Sequence, residues 1–187
     1  LNATNDLKQD HIIIRRVRNI AQRCSDRLYA NENIPLEDIE IISVIIEEFV
    51  DRFHHGKEEQ AYFPQTKDKN GFEEDIRKFL IEHELGRRIA QMLLSELKAW
   101  RRGIDSREPV ARFLKSYAVF VTDHTRKEDK FFDLIENKGS ISTKEDEVLI
   151  NHYSICRDRA GGKARIEQMM KLIEYLDDRD WMKKNVE

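Results

Sequence analysis

Only three prolines and seven glycines interrupt the 187 residues. So few turn formers exclude a fold of many short strands and leave long helices as the natural arrangement. No apolar run approaches the ~18 residues that a membrane-spanning helix needs, so no membrane partner is expected. The start lacks a signal-peptide pattern, and Leu1 in place of an initiator Met suggests residues upstream. A basic stripe is missing as well. Lys and Arg (33) are interspersed with Asp and Glu (36), which argues against a nucleic-acid partner. Cysteine is scarce: Cys24 and Cys156 form neither a disulfide framework nor a zinc-type cluster, so reduced, buried thiols in a cytoplasmic protein are expected. There is no Gly-rich phosphate loop and no nucleophile triad, which leaves nucleotide-binding and hydrolase classes without support.

What the chain does have is charge and apolar periodicity. Apolar residues (40%) and charged residues (37%) alternate at helical spacing, the composition of amphipathic helices. Leu7, His11, Ile14, Val17, Ala21, Cys24 and Leu28 mark the buried face of a first helix, about residues 5–28. A second starts with Pro35 in its first turn, carries Ile39, Ile46, Val50, His54 and Glu58, and should stop before Pro64. A third, about 72–102, shows Ile76, Leu80, His83, Ala90, Leu94 and Leu97. A fourth, capped by Ser106 with Pro109 in its first turn, carries Phe113, Tyr117, Phe120, His124, Glu128, Phe131 and Ile135 and ends near Gly139. Ser142-Thr143-Lys144-Glu145 reads as a capping box opening a helix to about Asp158. Gly161-Gly162 then separates off a last helix, about 163–176. Short connections predict an all-α, antiparallel up-down-up-down four-helix bundle (about 5–137) with a C-terminal helical extension (about 142–180) in a single domain over 1–187.

Two stretches repeat one pattern: His54-His55-Gly56-Lys57-Glu58-Glu59 and His124-Thr125-Arg126-Lys127-Glu128-Asp129. Each places a His four residues before a Glu, on one helix face. In an up-down-up-down bundle, positions near the start of helices one and three lie level with positions near the end of helices two and four. His11, His54, Glu58, His83, His124 and Glu128 therefore converge on one layer. Two carboxylates buried there need partners, and a cation is the simplest one. Imidazole with carboxylate suits iron, and also zinc or manganese.

The order His, HxxxE, His, HxxxE over four helices resembles the hemerythrin-like cation-binding domain. The phrases His54-His55-Gly56-Lys57-Glu58-Glu59-Gln60-Ala61-Tyr62-Phe63-Pro64 and Glu82-His83-Glu84-Leu85-Gly86-Arg87 carry the likeness, which covers about residues 5–137. The resemblance implies two iron ions inside the bundle. One would take His11 and His54 and the other His83 and His124, with Glu58 and Glu128 bridging. Oxygen-carrying relatives place a second His one turn after the third helix's His, where this chain has Arg87. They also end in HxxxxD, whereas this chain offers both Glu128 and Asp129; Glu128 matches Glu58 in the repeat.

The neighbours divide into roles. His55 and Glu59 stand about 100° round an α-helix from the paired positions and are expected to be spectators. Arg87 is either a donor close to the bridge or a surface residue. Tyr62 and Tyr117 are expected to pack in the core. Gly56 inside a helix suggests a close helix approach, and His152 with Cys156 lacks further ligands for a second site. With one imidazole fewer than a carrier, the reduced protein is expected to react with O2, peroxide or nitric oxide, as enzyme or sensor, rather than carry oxygen reversibly. Iron storage or trafficking, and a helical interaction module merely stapled by metal, are the alternatives.

Overall fold

The apolar stripes become helices. A computed structural model describes residues 1–183; the last four residues of the expected 1–187 domain lie outside the described residues. Helix α1 is Asn2–Tyr29. The second helix, 36–66, is built in pieces: α2 (Leu36–Ile45), π-helical π1 (Ile46–His55) and π2 (Glu58–Tyr62), and α3 (Phe63–Thr66). Then come α4 (Glu73–Arg101), α5 (Arg107–Asn137), α6 (Thr143–Arg159), α7 (Gly162–Asp177) and the short α8 (Asp180–Lys183). The described residues contain no strand, and none of their helices is long and apolar enough to cross a membrane.

Side-chain pairs fix the directions. Lys8 meets Asp133, Arg15 meets Asp129, Lys115 meets Gln22 and Ser25 meets Ala111, so α1 and α5 run antiparallel. Thr4 with Tyr62 and Asp10 with His54 make the second helix antiparallel to α1. Arg101 with Glu37 and Arg87 with Asp51 do the same for α4, and Glu82 with His124 for α5. The result is the expected four-helix bundle.

Several local expectations change. The second helix runs through Pro64 to Thr66 rather than ending before it. The preceding π turn bonds i to i+5, which relaxes the backbone where proline has no N–H to give. The Thr66 hydroxyl donates to the Tyr62 carbonyl at 2.8 Å. Ser106 occupies the N-cap of α5, but its side chain makes no cap bond; Asp105 accepts from the Arg107 N–H instead, at 3.2 Å. On α4 the buried stripe uses Phe79 and Leu93, while Leu80 faces solvent. The capping box at Ser142 and Glu145 forms as expected.

The extension is packed, not appended. Asp146 of α6 accepts the backbone N–H groups of Asn2 and Ala3, so the start of α1 is capped from 143 residues away. Met169, Ile173 and Leu176 of α7 join the core with Ile14, Val17 and Ala21 of α1. Trp181 donates its indole N–H to the buried Asp38 at 2.9 Å. Gly161 turns α6 into α7 at φ 104°, in the left-handed region that glycine tolerates best.

Candidate metal centre

Burying apolar faces on four antiparallel helices carries the polar residues of those faces into one layer. α1 contributes His11, the second helix His54, His55 and Glu58, α4 His83, and α5 His124 and Glu128. All seven are buried, with Glu58 and Glu128 at 0% exposure. The six sequence-selected residues meet at one point, joined by His55.

Each carboxylate lies between imidazoles. Glu58 sets Oε1 at 3.3 Å from His54 Nε2 and Oε2 at 3.4 Å from His83 Nε2. Glu128 sets Oε2 at 3.3 Å from His11 Nε2, and Oε1 at 3.3 Å from His83 Nε2 and 3.1 Å from His124 Nε2. His11 and His54 face each other Nε2 to Nε2 at 3.1 Å. Ligand atoms fall into two groups within 4.8 Å: His11, His54, Glu58 and Glu128 in one, His55, His83 and His124 in the other.

The imidazoles are oriented from behind. His11 donates its Nδ1 proton to Asp129 at 2.7 Å, His54 to Asp10 at 3.0 Å, His83 to Glu59 at 2.7 Å and His124 to Glu82 at 2.7 Å. A carboxylate only accepts, so each bond leaves the Nε2 lone pair aimed inward, as metal-binding histidines require. The carboxylates are themselves held by cations: Asp129 by Arg15, Asp10 by the buried Lys57, Glu59 by Arg87 and Glu82 by Lys127. The pattern runs round the bundle. The acid beside a site residue on one helix supports the imidazole of the next: Asp10 beside His11, Glu59 beside Glu58, Glu82 beside His83, Asp129 beside Glu128.

Lone pairs facing carboxylate oxygens at these distances repel. Glu58 Oε1 and Oε2, Glu128 Oε2 and His124 Nε2 are buried without a hydrogen-bond partner among the described residues. Without a cation the imidazoles hold protons instead. Burial opposes charge on His54 and His124, yet the Glu58 and Glu128 carboxylates outweigh it and raise both to about 9. Burial also opposes ionisation of Glu58 and Glu128, but the surrounding imidazoles keep both carboxyls well below their usual range. Cations held at the centre would replace those protons and satisfy the orphaned oxygens together. The donors fit a metal pair: about 3 Å is the separation expected of adjacent nitrogens each ~2.1 Å from one ion.

Sequence reasoning expected His55 to be a spectator; the structure buries it beside His83 and His124. In π1 the i to i+5 bonding widens the turn and lowers the rotation per residue below that of an α-helix. His54 and His55 therefore both face inward. Burial and the neighbouring His83 push His55 down to about 3, so it is neutral. The available signal was the His-His doublet itself; nothing in the residue pattern announced the π turn.

Other neighbours are settled by contacts. Arg87 is half-buried, and its guanidinium bonds Asp51, Glu59 and Glu84. Tyr62 is fully buried and shares a hydrogen bond with Thr4. Tyr117 packs in the core and lines a cleft of about 310 Å³ with Ile46, Asp51, His55, Arg87 and Leu94. Gly56 is buried and its carbonyl accepts from the Cys156 thiol of α6 at 3.7 Å, but a Cβ there would meet only Gln60 Nε2, also at 3.7 Å; a Cβ on Gly86 would come within 2.6 Å of the Phe120 ring. His152 and Cys156 belong to no metal-binding group among the described residues.

The family model for the hemerythrin HHE cation-binding domain matches residues 2–135. The chain belongs to this family. Curated relatives include an uncharacterized protein of Mycobacterium bovis and uncharacterized proteins of two Mycobacterium tuberculosis strains. Each is 24% identical over 131 residues, 69% of this chain and 51% of the relative. The chain thus spans about half the length of the curated relatives it matches. No solved structure matches it. As in its family, this chain's His and Glu clusters are able to chelate metal.

Proposed function

We propose that the chain is a non-haem dinuclear metal protein, with two iron ions as the resident pair, that reacts with or senses O2, peroxide or nitric oxide. The observation that carries this reading is the pair of fully buried carboxylates, Glu58 and Glu128, each with one oxygen towards either group of imidazoles. The two oxygens of each carboxylate face different groups of imidazoles, so an ion at each group would engage both. In this reading His11 and His54 hold one ion and His83 and His124 the other, with Glu58 and Glu128 between them.

Iron at such a centre supplies redox chemistry with a small diatomic or peroxide ligand. The chain's own residues do the rest. Asp10, Glu59, Glu82 and Asp129 fix the tautomers, and Lys57, Arg15, Arg87 and Lys127 hold those acids in place. The ring of Phe120 stacks on His124 and Phe132 on His11, with centroids 5.2 and 5.6 Å apart, which covers those imidazoles with apolar surface. Arg87 is engaged by three carboxylates, so it positions the site rather than contacting the small ligand.

Metal analysis after anaerobic iron loading should give two ions per chain. Rapid mixing of the reduced protein with O2, peroxide or nitric oxide should change its absorption spectrum. A protein that takes up no more than one ion, or whose reduced form is inert to all three, would refute the reading. Iron storage would instead require uptake far beyond two ions.

A further inference from the structure

We infer that His55 is a fifth imidazole ligand of the centre, joining His83 and His124, so that the two ions are held unequally: three imidazoles on one, two on the other. The inference deepens the dinuclear reading and rests on it. Three observations converge.

The first is position. A ring nitrogen of His55 lies within 4.8 Å of ring nitrogens of both His83 and His124, and all three residues are buried. The His55 ring stacks on His83, with centroids 3.9 Å apart and planes 17° apart, and stands edge-on to His124 at 5.7 Å.

The second is tautomer. His55 Nδ1 lies 3.2 Å from Asp51 Oδ1. That acceptor takes the single proton of a neutral ring and leaves the Nε2 lone pair free. The same arrangement orients His11, His54, His83 and His124. Asp51 is half-buried, and its bond fixes which ring nitrogen carries the proton.

The third is Arg87. Its Nε donates to Asp51 at 2.8 Å and its Nη2 to Glu59 at 2.6 Å. One guanidinium therefore clamps the two carboxylates that stand behind His55 and His83. The position where the oxygen-carrying relatives place an imidazole supports two imidazoles here instead. The third helix's missing donor is supplied by the second helix.

The test uses the full chain loaded with iron. Wild type should bind two ions and show two inequivalent iron sites by Mössbauer spectroscopy. His55→Ala should keep both bridging carboxylates but bind one ion at least about tenfold more weakly, and the signal of that iron should move. The vacancy adjoins the 310 Å³ cleft, so added imidazole should enter, restore the affinity and return the signal. His55→Gln, which keeps most of the side-chain volume, should lose the same iron signal without imidazole rescue and guards against a folding defect. If His55→Ala leaves both affinities and both iron signals unchanged, His55 is not a ligand, whatever the centre does. A wild type that binds fewer than two ions would overturn the dinuclear reading itself, before His55 is at issue.

Discussion

At the scale of single residues, the site is a set of three concentric layers: carboxylates and imidazoles, then acids, then cations. This separates Glu128 from Asp129 by what each touches. Glu128 faces three imidazole nitrogens at the centre, while Asp129 holds the back of His11 and is gripped by Arg15. Glu128→Ala should therefore weaken both ions, as should Glu58→Ala. Asp129→Asn should keep two ions and cost roughly 10–100-fold in the affinity of the His11 ion. Equilibrium metal titration distinguishes them; two tightly held ions in Glu128→Ala would mean the bridge is misassigned. A pH effect belongs to the same layer. In metal-free protein, His54 and His124 sit at about 9, above the ~6.5 of an unfolded histidine. A raised folded pKa stabilises fully below the unfolded value and is lost as pH rises through the folded one. Metal-free protein should thus lose stability between pH ~6.5 and ~9, and metal-loaded protein should not show this loss, because the ions displace the protons. Denaturant midpoints measured across that window for both forms check the sign.

At the scale of elements, the second helix does more than carry ligands. Its π turns aim two consecutive histidines inward and let the backbone pass Pro64. The glycines Gly56, on the second helix, and Gly86, on α4, make opposite expectations. Gly86→Ala would drive a Cβ into the Phe120 ring, which stacks on His124. It should destabilise by about 1–3 kcal/mol and disturb the His124 imidazole. Gly56→Ala meets nothing closer than 3.7 Å and should stabilise by about 1 kcal/mol, the helix-propensity difference. Chemical denaturation of the two variants, side by side, tests whether close approach or propensity rules each position. α6 acts on α1 in the same local way. Asp146→Ala removes the acceptor for two N–H groups and should cost about 1 kcal/mol, with fraying confined to the first turn of α1 in hydrogen exchange.

At the scale of the whole molecule, the centre and the core stabilise each other. The helices meet because their apolar stripes are buried, and that meeting places the carboxylates where only protons or cations can balance them. Ions that bind the folded chain alone stabilise it by about 2.7 kcal/mol at a hundredfold excess over their dissociation constant. For a chain of this size that should raise the melting temperature by roughly 5–10 °C. A calorimetric scan before and after chelation reads it, and an unchanged melt would mean the fold does not depend on the metal. Lys57 links the two roles. It is buried against Asp6 and Asp10, and Asp10 orients His54. Lys57→Ala should lower both metal affinity and stability, the latter by about 3–5 kcal/mol because an acid is left buried without its cation.

The sequence by itself determined the helical class, the order and approximate ends of the long helices, and the layer where four histidines and two glutamates meet. These follow from periodicity: apolar stripes recur at 3.6 residues, and HxxxE lies on one such stripe. Only the tertiary structure decided the rest. The acids that orient each imidazole sit beside a site residue in sequence but serve the helix next door, so no spacing within one helix displays the pairing. The inward turn of His55 depends on a backbone widening that leaves no residue signature, and the seating of Asp146 on α1 joins residues 143 apart. Periodicity reports what one helix does with its own side chains. Which groups face each other across helices is set by packing, and packing is a property of the assembled chain.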